Sequence, residues 1–135
     1  MLESGGTEHL LAAARRGSTR LPPAAVPDRL RAGALLVDTR TEIQRAEQGE
    51  LPGALVIDRT VLEWRLDPLG DHRIPEATGF EVEVIVACRQ GFSSSLAAES
   101  LRRLGLSRAT DMVGGVEAWI AAGLPMSTGP ADVRR

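Results

Sequence analysis

Lysine, asparagine and tyrosine are missing from this 135-residue chain, and cysteine occurs once. Without lysine, no lysine Schiff base or lysine general base can operate, and all 16 basic residues are arginine. One cysteine can neither close an internal disulfide nor build a cysteine-based zinc site. Only His9 and His72 remain as imidazole ligands, so no structural metal is expected. No apolar run approaches the length that spans a bilayer, and the N-terminus lacks the charged-then-apolar order of a signal peptide. The expectation is a soluble, cytoplasmic protein without a membrane partner. The formal net charge is −2, and Arg15-Arg16 and Arg134-Arg135 are only short basic pairs. No electrostatic footprint for nucleic acid is present.

What is present centres on the lone cysteine. Val82-Glu83-Val84-Ile85-Val86-Ala87 is an apolar, β-branched run, and Cys88-Arg89-Gln90-Gly91-Phe92-Ser93-Ser94 follows it. The spacing predicts a buried strand, a tight loop, and then a helix to which Ser93, Ser94 and Ser95 offer N-cap hydroxyls. A sulfur at that junction faces unpaired backbone N–H groups and the positive end of a helix dipole, which favour a thiolate over a thiol. Gly91 permits a positive φ inside the loop, so that its N–H groups can curl into an anion-binding nest. Arg89 adds a permanent charge. Most unpaired cysteines are small buried hydrophobes, but a core position explains neither the arginine, the glycine nor the serine run.

The length is that of one domain. Residues 1–19 read as a partly helical extension, with a short peripheral helix over 9–16 ended by Gly17. Another short helix is expected from Pro27 to Ala32. Strands are expected at Ala34–Val37, Ala54–Ile57, Val82–Ala87 as the central one, and Ala109–Val113. Helices are expected at 41–48, at 61–66, after the cysteine loop with Ala97, Leu101 and Leu104 on one face, and from Val116 to Ala122. A polar loop reaches from Pro68 to Gly79, and 127–135 reads as a flexible tail. The repeated strand-then-helix order argues for an α/β domain with a mostly parallel sheet. Ligands of such sheets bind beyond the carboxyl ends of the strands, where Cys88 falls.

Four stretches together resemble the rhodanese-like domains: Leu36-Val37-Asp38-Thr39-Arg40, Gly49-Glu50-Leu51-Pro52-Gly53-Ala54, Cys88 to Ser94, and Gly114-Gly115-Val116-Glu117-Ala118-Trp119 with Ala122-Gly123-Leu124-Pro125 behind it. The likeness covers roughly residues 20–126. It implies a single α/β domain with a five-stranded, mostly parallel sheet flanked by helices. It also implies a sulfurtransferase that carries a persulfide on Cys88 without a cofactor or metal. Arg89, Gln90, Gly91, Phe92, Ser93 and Ser94 would hold the outer sulfur. Expected partners are a small anionic sulfur donor, thiosulfate or a persulfide, and a thiol or cyanide acceptor; the oligomeric state is left open. Glu50 stands where the family commonly has histidine. Asp38 and Arg40 read as structural, the arginine pairing a carboxylate near the edge of the sheet.

Other candidates are weaker. His72 is an isolated loop histidine, Arg65, Arg73 and Trp64 could line the mouth of a pocket, and tryptophans such as Trp64 and Trp119 more often mark core packing. Gly114-Gly115 lacks the lysine of a phosphate loop, and no serine sits in a Gly-x-Ser-x-Gly elbow. Related phosphatases and arsenate reductases place an arginine after five residues that follow the cysteine; Ser94 occupies that position here. A non-catalytic module in which Cys88 senses oxidants or the domain only binds a partner is the alternative from another class.

Overall fold

Four largely buried runs form parallel strands in the computed structural model, which describes residues 5–135. They are β1 (Leu35–Asp38), β2 (Ala54–Val56), β3 (Val84–Ala87) and β4 (Ala109–Asp111). Helices cover both faces of the sheet, so these strands need not alternate polar with apolar residues. A fifth strand, β5 (Asp132–Val133), completes the order β4-β3-β1-β2-β5, with every neighbouring pair parallel. The middle strand is therefore β1 and not β3.

The fifth strand lies in the segment expected to be a tail. Leu55 pairs with Asp132, Val56 pairs with Val133, and the Arg134 N–H donates to the Val56 carbonyl at 2.8 Å. Both β5 residues are exposed, so no hydrophobic period betrays them; the open edge of β2 recruits them through backbone pairing.

The helices are α1 (Gly6–Arg15), α2 (Val26–Arg31), α3 (Glu42–Gln48), α4 (Leu62–Leu66), α5 (Ser93–Leu104) and α6 (Gly115–Ala121). A capping box starts α3: Thr41 Oγ1 accepts from the Gln44 N–H at 3.2 Å, and Gln44 Oε1 accepts from the Thr41 N–H at 3.1 Å. Alternate strand residues enter two cores. Leu36, Ile85 and Ala87 pack with Val26, Val116 and Trp119, whereas Val37, Val84 and Val86 pack with Leu62, Leu66, Ala97 and Leu101. Each fully buried aliphatic side chain contributes about 1.5–3 kcal/mol. The polar loop is anchored in the second core by Ile74 and Ala77.

Two local expectations change. Trp119 is buried and its indole N–H donates to the Pro125 carbonyl at 3.0 Å; Trp64, by contrast, is 60% exposed and marks no core. Helix α1 starts at Gly6, earlier than expected, and packs on α5 through a side that buries Leu11 and Ala14. It lies against the helix that opens at the cysteine loop.

Cys88 follows the last residue of β3 directly, and Asp38 at the end of β1 is in register with Ala87. Both therefore stand at the carboxyl edge of the sheet, the usual ligand side of parallel α/β folds.

Candidate active site

The loop between β3 and α5 closes around the sulfur. The Gly91 N–H donates to Cys88 Sγ at 3.1 Å and the Ser94 N–H does so at 3.4 Å. Cys88 is 6% exposed, so both bonds form largely out of water. A helix start leaves its first N–H groups without partners, and here a thiol sulfur accepts from one of them.

The serine hydroxyls do not cap this helix. Phe92 holds the N-cap position and no side chain caps α5. Ser94 and Ser95 instead turn inward and donate to Asp111 Oδ2 at 2.7 and 2.9 Å; Ser93 stays exposed. The reason is the buried carboxylate at the end of β4, a better acceptor for a hydroxyl than a helix end is a donor.

Carbonyls of the loop point the other way, and each has a specific partner. Cys88 O accepts from the Val116 N–H at 2.9 Å and Arg89 O from the Glu117 N–H at 3.1 Å, which satisfies the first turn of α6. Gly91 O accepts from the guanidinium groups of Arg15 at 2.9 Å and Arg20 at 3.0 Å. Arg20 also makes a two-pronged pair with Asp111, at 2.9 and 3.1 Å. This close seating needs glycine. Gly91 has φ +83°, and a Cβ there would stand 2.7 Å from the Gly114 nitrogen; a Cβ on Gly115 would stand 2.7 Å from the Arg89 carbonyl carbon. The Gly114-Gly115 pair is thus a seat for the cysteine loop.

Above the sulfur lies an open pocket of about 390 Å³ lined by Thr39, Arg40, Thr41, Gln44, Cys88, Arg89, Gln90, Phe92 and Ser93. Arg89 is 47% exposed, and its Nε donates to Glu117 Oε2 at 3.3 Å. Gln90 Nε2 donates to the same oxygen at 3.3 Å. The charge that the loop sequence offers the sulfur is shared with a carboxylate.

Asp38 and Arg40 form a buried pair, with Arg40 NH2 donating to Asp38 Oδ2 at 2.8 Å and to the Gly49 carbonyl at 2.8 Å. The pair ties the turn after α3 to the middle strand, not to the edge of the sheet. His72, Arg65 and Arg73 do not reach the pocket: Arg65 donates to the His72 carbonyl and Arg73 to the Ala77 carbonyl. A larger cavity of about 810 Å³, between α3 and β5, is lined by paired groups such as Arg45 and Glu50 but by no cysteine or histidine. Sequence reasoning did not find Arg15, Arg20, Asp111 or Glu117, because they reach the loop from four separate segments. The only signal was the charge of Asp111 in a segment expected to be a buried strand.

The comparisons agree with this geometry. The rhodanese-like domain model matches residues 23–122. A sulfurtransferase from Allochromatium vinosum is 33% identical over 92 residues, covering 68% of this chain and 77% of its own. Among solved structures, a human single-domain sulfurtransferase is 26% identical with a TM-score of 0.62, covering 78% of this chain and 97% of that one. A Rhodopseudomonas palustris protein of unknown function, a possible tyrosine phosphatase, is 25% identical with a TM-score of 0.81, covering 94% and 98%. With the family match spanning four of the five strands and a cysteine cradled by backbone amides at the carboxyl edge of the sheet, this chain belongs to the rhodanese-like domain family.

Proposed function

We propose that this protein is a sulfurtransferase that moves a sulfane sulfur from thiosulfate or a persulfide donor to a thiol or cyanide acceptor through a Cys88 persulfide. The observation that carries the reading is the pair of backbone N–H groups, from Gly91 and Ser94, directed at Cys88 Sγ. In the first half-reaction the Cys88 thiolate attacks the outer sulfur of thiosulfate. The Cys88–S bond forms, the S–S bond of the donor breaks, and sulfite leaves with its electron pair. In the second, an acceptor thiolate attacks the outer sulfur of the persulfide and the Cys88 thiolate is released. Charge stays on sulfur throughout, so fixed amide donors serve where a general base would otherwise act. The chemistry calls for no cofactor or metal. A lone reactive thiol suits a reducing cytoplasm.

Phosphate ester hydrolysis is the second reading, favoured by the likeness to the Rhodopseudomonas palustris protein. Against it stands the loop itself. Ser94 occupies the place of an oxyanion-clamping arginine and is buried against Asp111. Arg15 and Arg20 bind the loop's carbonyl instead of an anion in the pocket, and Arg40 is engaged with Asp38.

Intact mass after incubation with thiosulfate tests the proposal. The wild type should gain one sulfur atom and lose it to added cyanide or thiol. Cys88→Ser should fold and transfer nothing, since a hydroxyl cannot carry a sulfane sulfur. No gain in the wild type with either donor class would overturn the reading in favour of a redox-sensing or partner-binding module.

A further inference from the structure

Two guanidinium groups converge on one backbone carbonyl in the cysteine loop, Gly91 O, although one donor would satisfy it. Arg20 is held by Asp111, and the Arg15 Nε donates to Ser95 Oγ at 2.9 Å. Both therefore approach Gly91 in fixed orientations. They differ in charge balance: Asp111 compensates Arg20, whereas among the described residues no carboxylate pairs with Arg15. Arg15 is partly buried, where water screens its charge less than at the surface. Both residues lie outside the stretch matched by the family model, residues 23–122.

We propose that Arg15 and Arg20 are positioning residues of the sulfur site, and that Arg15 supplies the unpaired positive charge that the loop sequence assigns to Arg89. The inference rests on the reading that Cys88 is the reactive thiol. Two physical effects follow from the clamp. A trans peptide sets its N–H opposite to its C=O, so pinning Gly91 O on the arginines points the Phe92 N–H away from them. Charged donors on the carbonyl also polarise that peptide and strengthen its N–H as a donor to anionic sulfur. Helix α1, expected from sequence to be peripheral, thereby carries part of the site's electrostatics.

Alkylation of Cys88 by iodoacetamide, followed by intact mass across a pH series, tests this in the full chain without any sulfur donor. In Arg15→Ala the profile should move to higher pH and the rate at neutral pH should fall roughly ten-fold, the scale on which outer-shell partners act. Millimolar guanidinium should restore part of the rate in that variant, and Arg15→Lys should fall between it and the wild type. Arg15→Gln, which keeps an N–H donor without the charge, covers the case in which the alanine variant fails to fold by circular dichroism. It should show the same displacement. Wild-type rates and pH profiles in both Arg15→Gln and Arg15→Lys would overturn the proposal. An Arg15-dependent profile in a protein that gains no sulfur would leave the clamp standing and remove only the sulfur-transfer reading.

Discussion

Glu117 sets how much of the Arg89 charge reaches a donor in the pocket. The two side chains are 47% and 45% exposed, and their ion pair is 3.3 Å long, so the pair is weak and easily exchanged. An anionic donor competes with Glu117 for the same guanidinium. Glu117→Gln should therefore lower the KM for thiosulfate by about two- to five-fold, the equivalent of a surface ion pair, with kcat little changed. Added salt should erase the difference. Steady-state kinetics at low and high ionic strength check this, and identical KM values at low salt would show that Arg89 takes no part in donor capture. Gly115 is under a harder constraint. Its φ is +64° and it seats the carbonyl side of the cysteine loop, so Gly115→Ala should cost about 1–3 kcal/mol from overpacking. Urea unfolding measures that cost, and an unchanged midpoint would mean that the loop has room to move aside.

Among the elements, β5 depends on ion pairs where the other strands depend on burial. Arg134 reaches Glu76 at 2.8 and 2.7 Å and Asp132 at 2.7 Å. Hydrogen bonds from Arg134 hold both carboxyls below their ordinary values of 4.5 and 3.8, and Asp132 and then Glu76 hold Arg134 above the usual arginine range. A carboxyl whose folded value is depressed stabilises the fold fully above its ordinary value and loses that contribution as pH falls through the depressed one. Acidification from neutral pH to below about 4 should thus release β5 first. Hydrogen exchange should show the Arg134 amide, bonded to Val56 O, losing protection while those of β1 and β3 keep theirs. Arg134→Ala should show the same early exchange at neutral pH while costing about 1 kcal/mol, because the pairs lie at the surface with Arg134 and Glu76 only partly buried. Simultaneous loss of protection in β1 and β5 would count against an independently held edge.

For the whole molecule, the strand order determines which chemistry is available. Order β4-β3-β1-β2-β5 brings the ends of β1, β3 and β4 side by side, and with them Asp38, Cys88 and Asp111. Asp111 draws Ser94, Ser95 and Arg20 behind the loop. The face toward solvent is left with backbone N–H groups, threonines, glutamines and Arg89, which Glu117 shares, while Ser94 stands where an arginine would clamp a tetrahedral oxyanion. The wild type should therefore show no Cys88-dependent hydrolysis of an aryl phosphate, and such hydrolysis, abolished in Cys88→Ser, would reverse the order of the two readings.

Local chemistry alone carried much of this protein. Apolar runs specify β1, β2 and β3 because burial on both faces imposes that composition, and the cysteine between a strand and a helix is legible because glycine, arginine and serine around it have no use in a core. The capping box that starts α3, Thr41 with Gln44, is equally local, since its interaction spans only four residues. Contacts made across the chain were not legible. Whether Ser94 would cap a helix or bind Asp111, whether Arg89 would face the sulfur or Glu117, and whether 127–135 would hang free or pair with β2 depended on what the sheet placed beside each. A hydroxyl, a guanidinium or a backbone edge takes whichever partner is nearest once the core has closed, and sequence spacing holds no record of that distance. The apolar pattern of this chain thus determined the frame, and the tertiary structure decided which of its 16 arginines stand behind the sulfur.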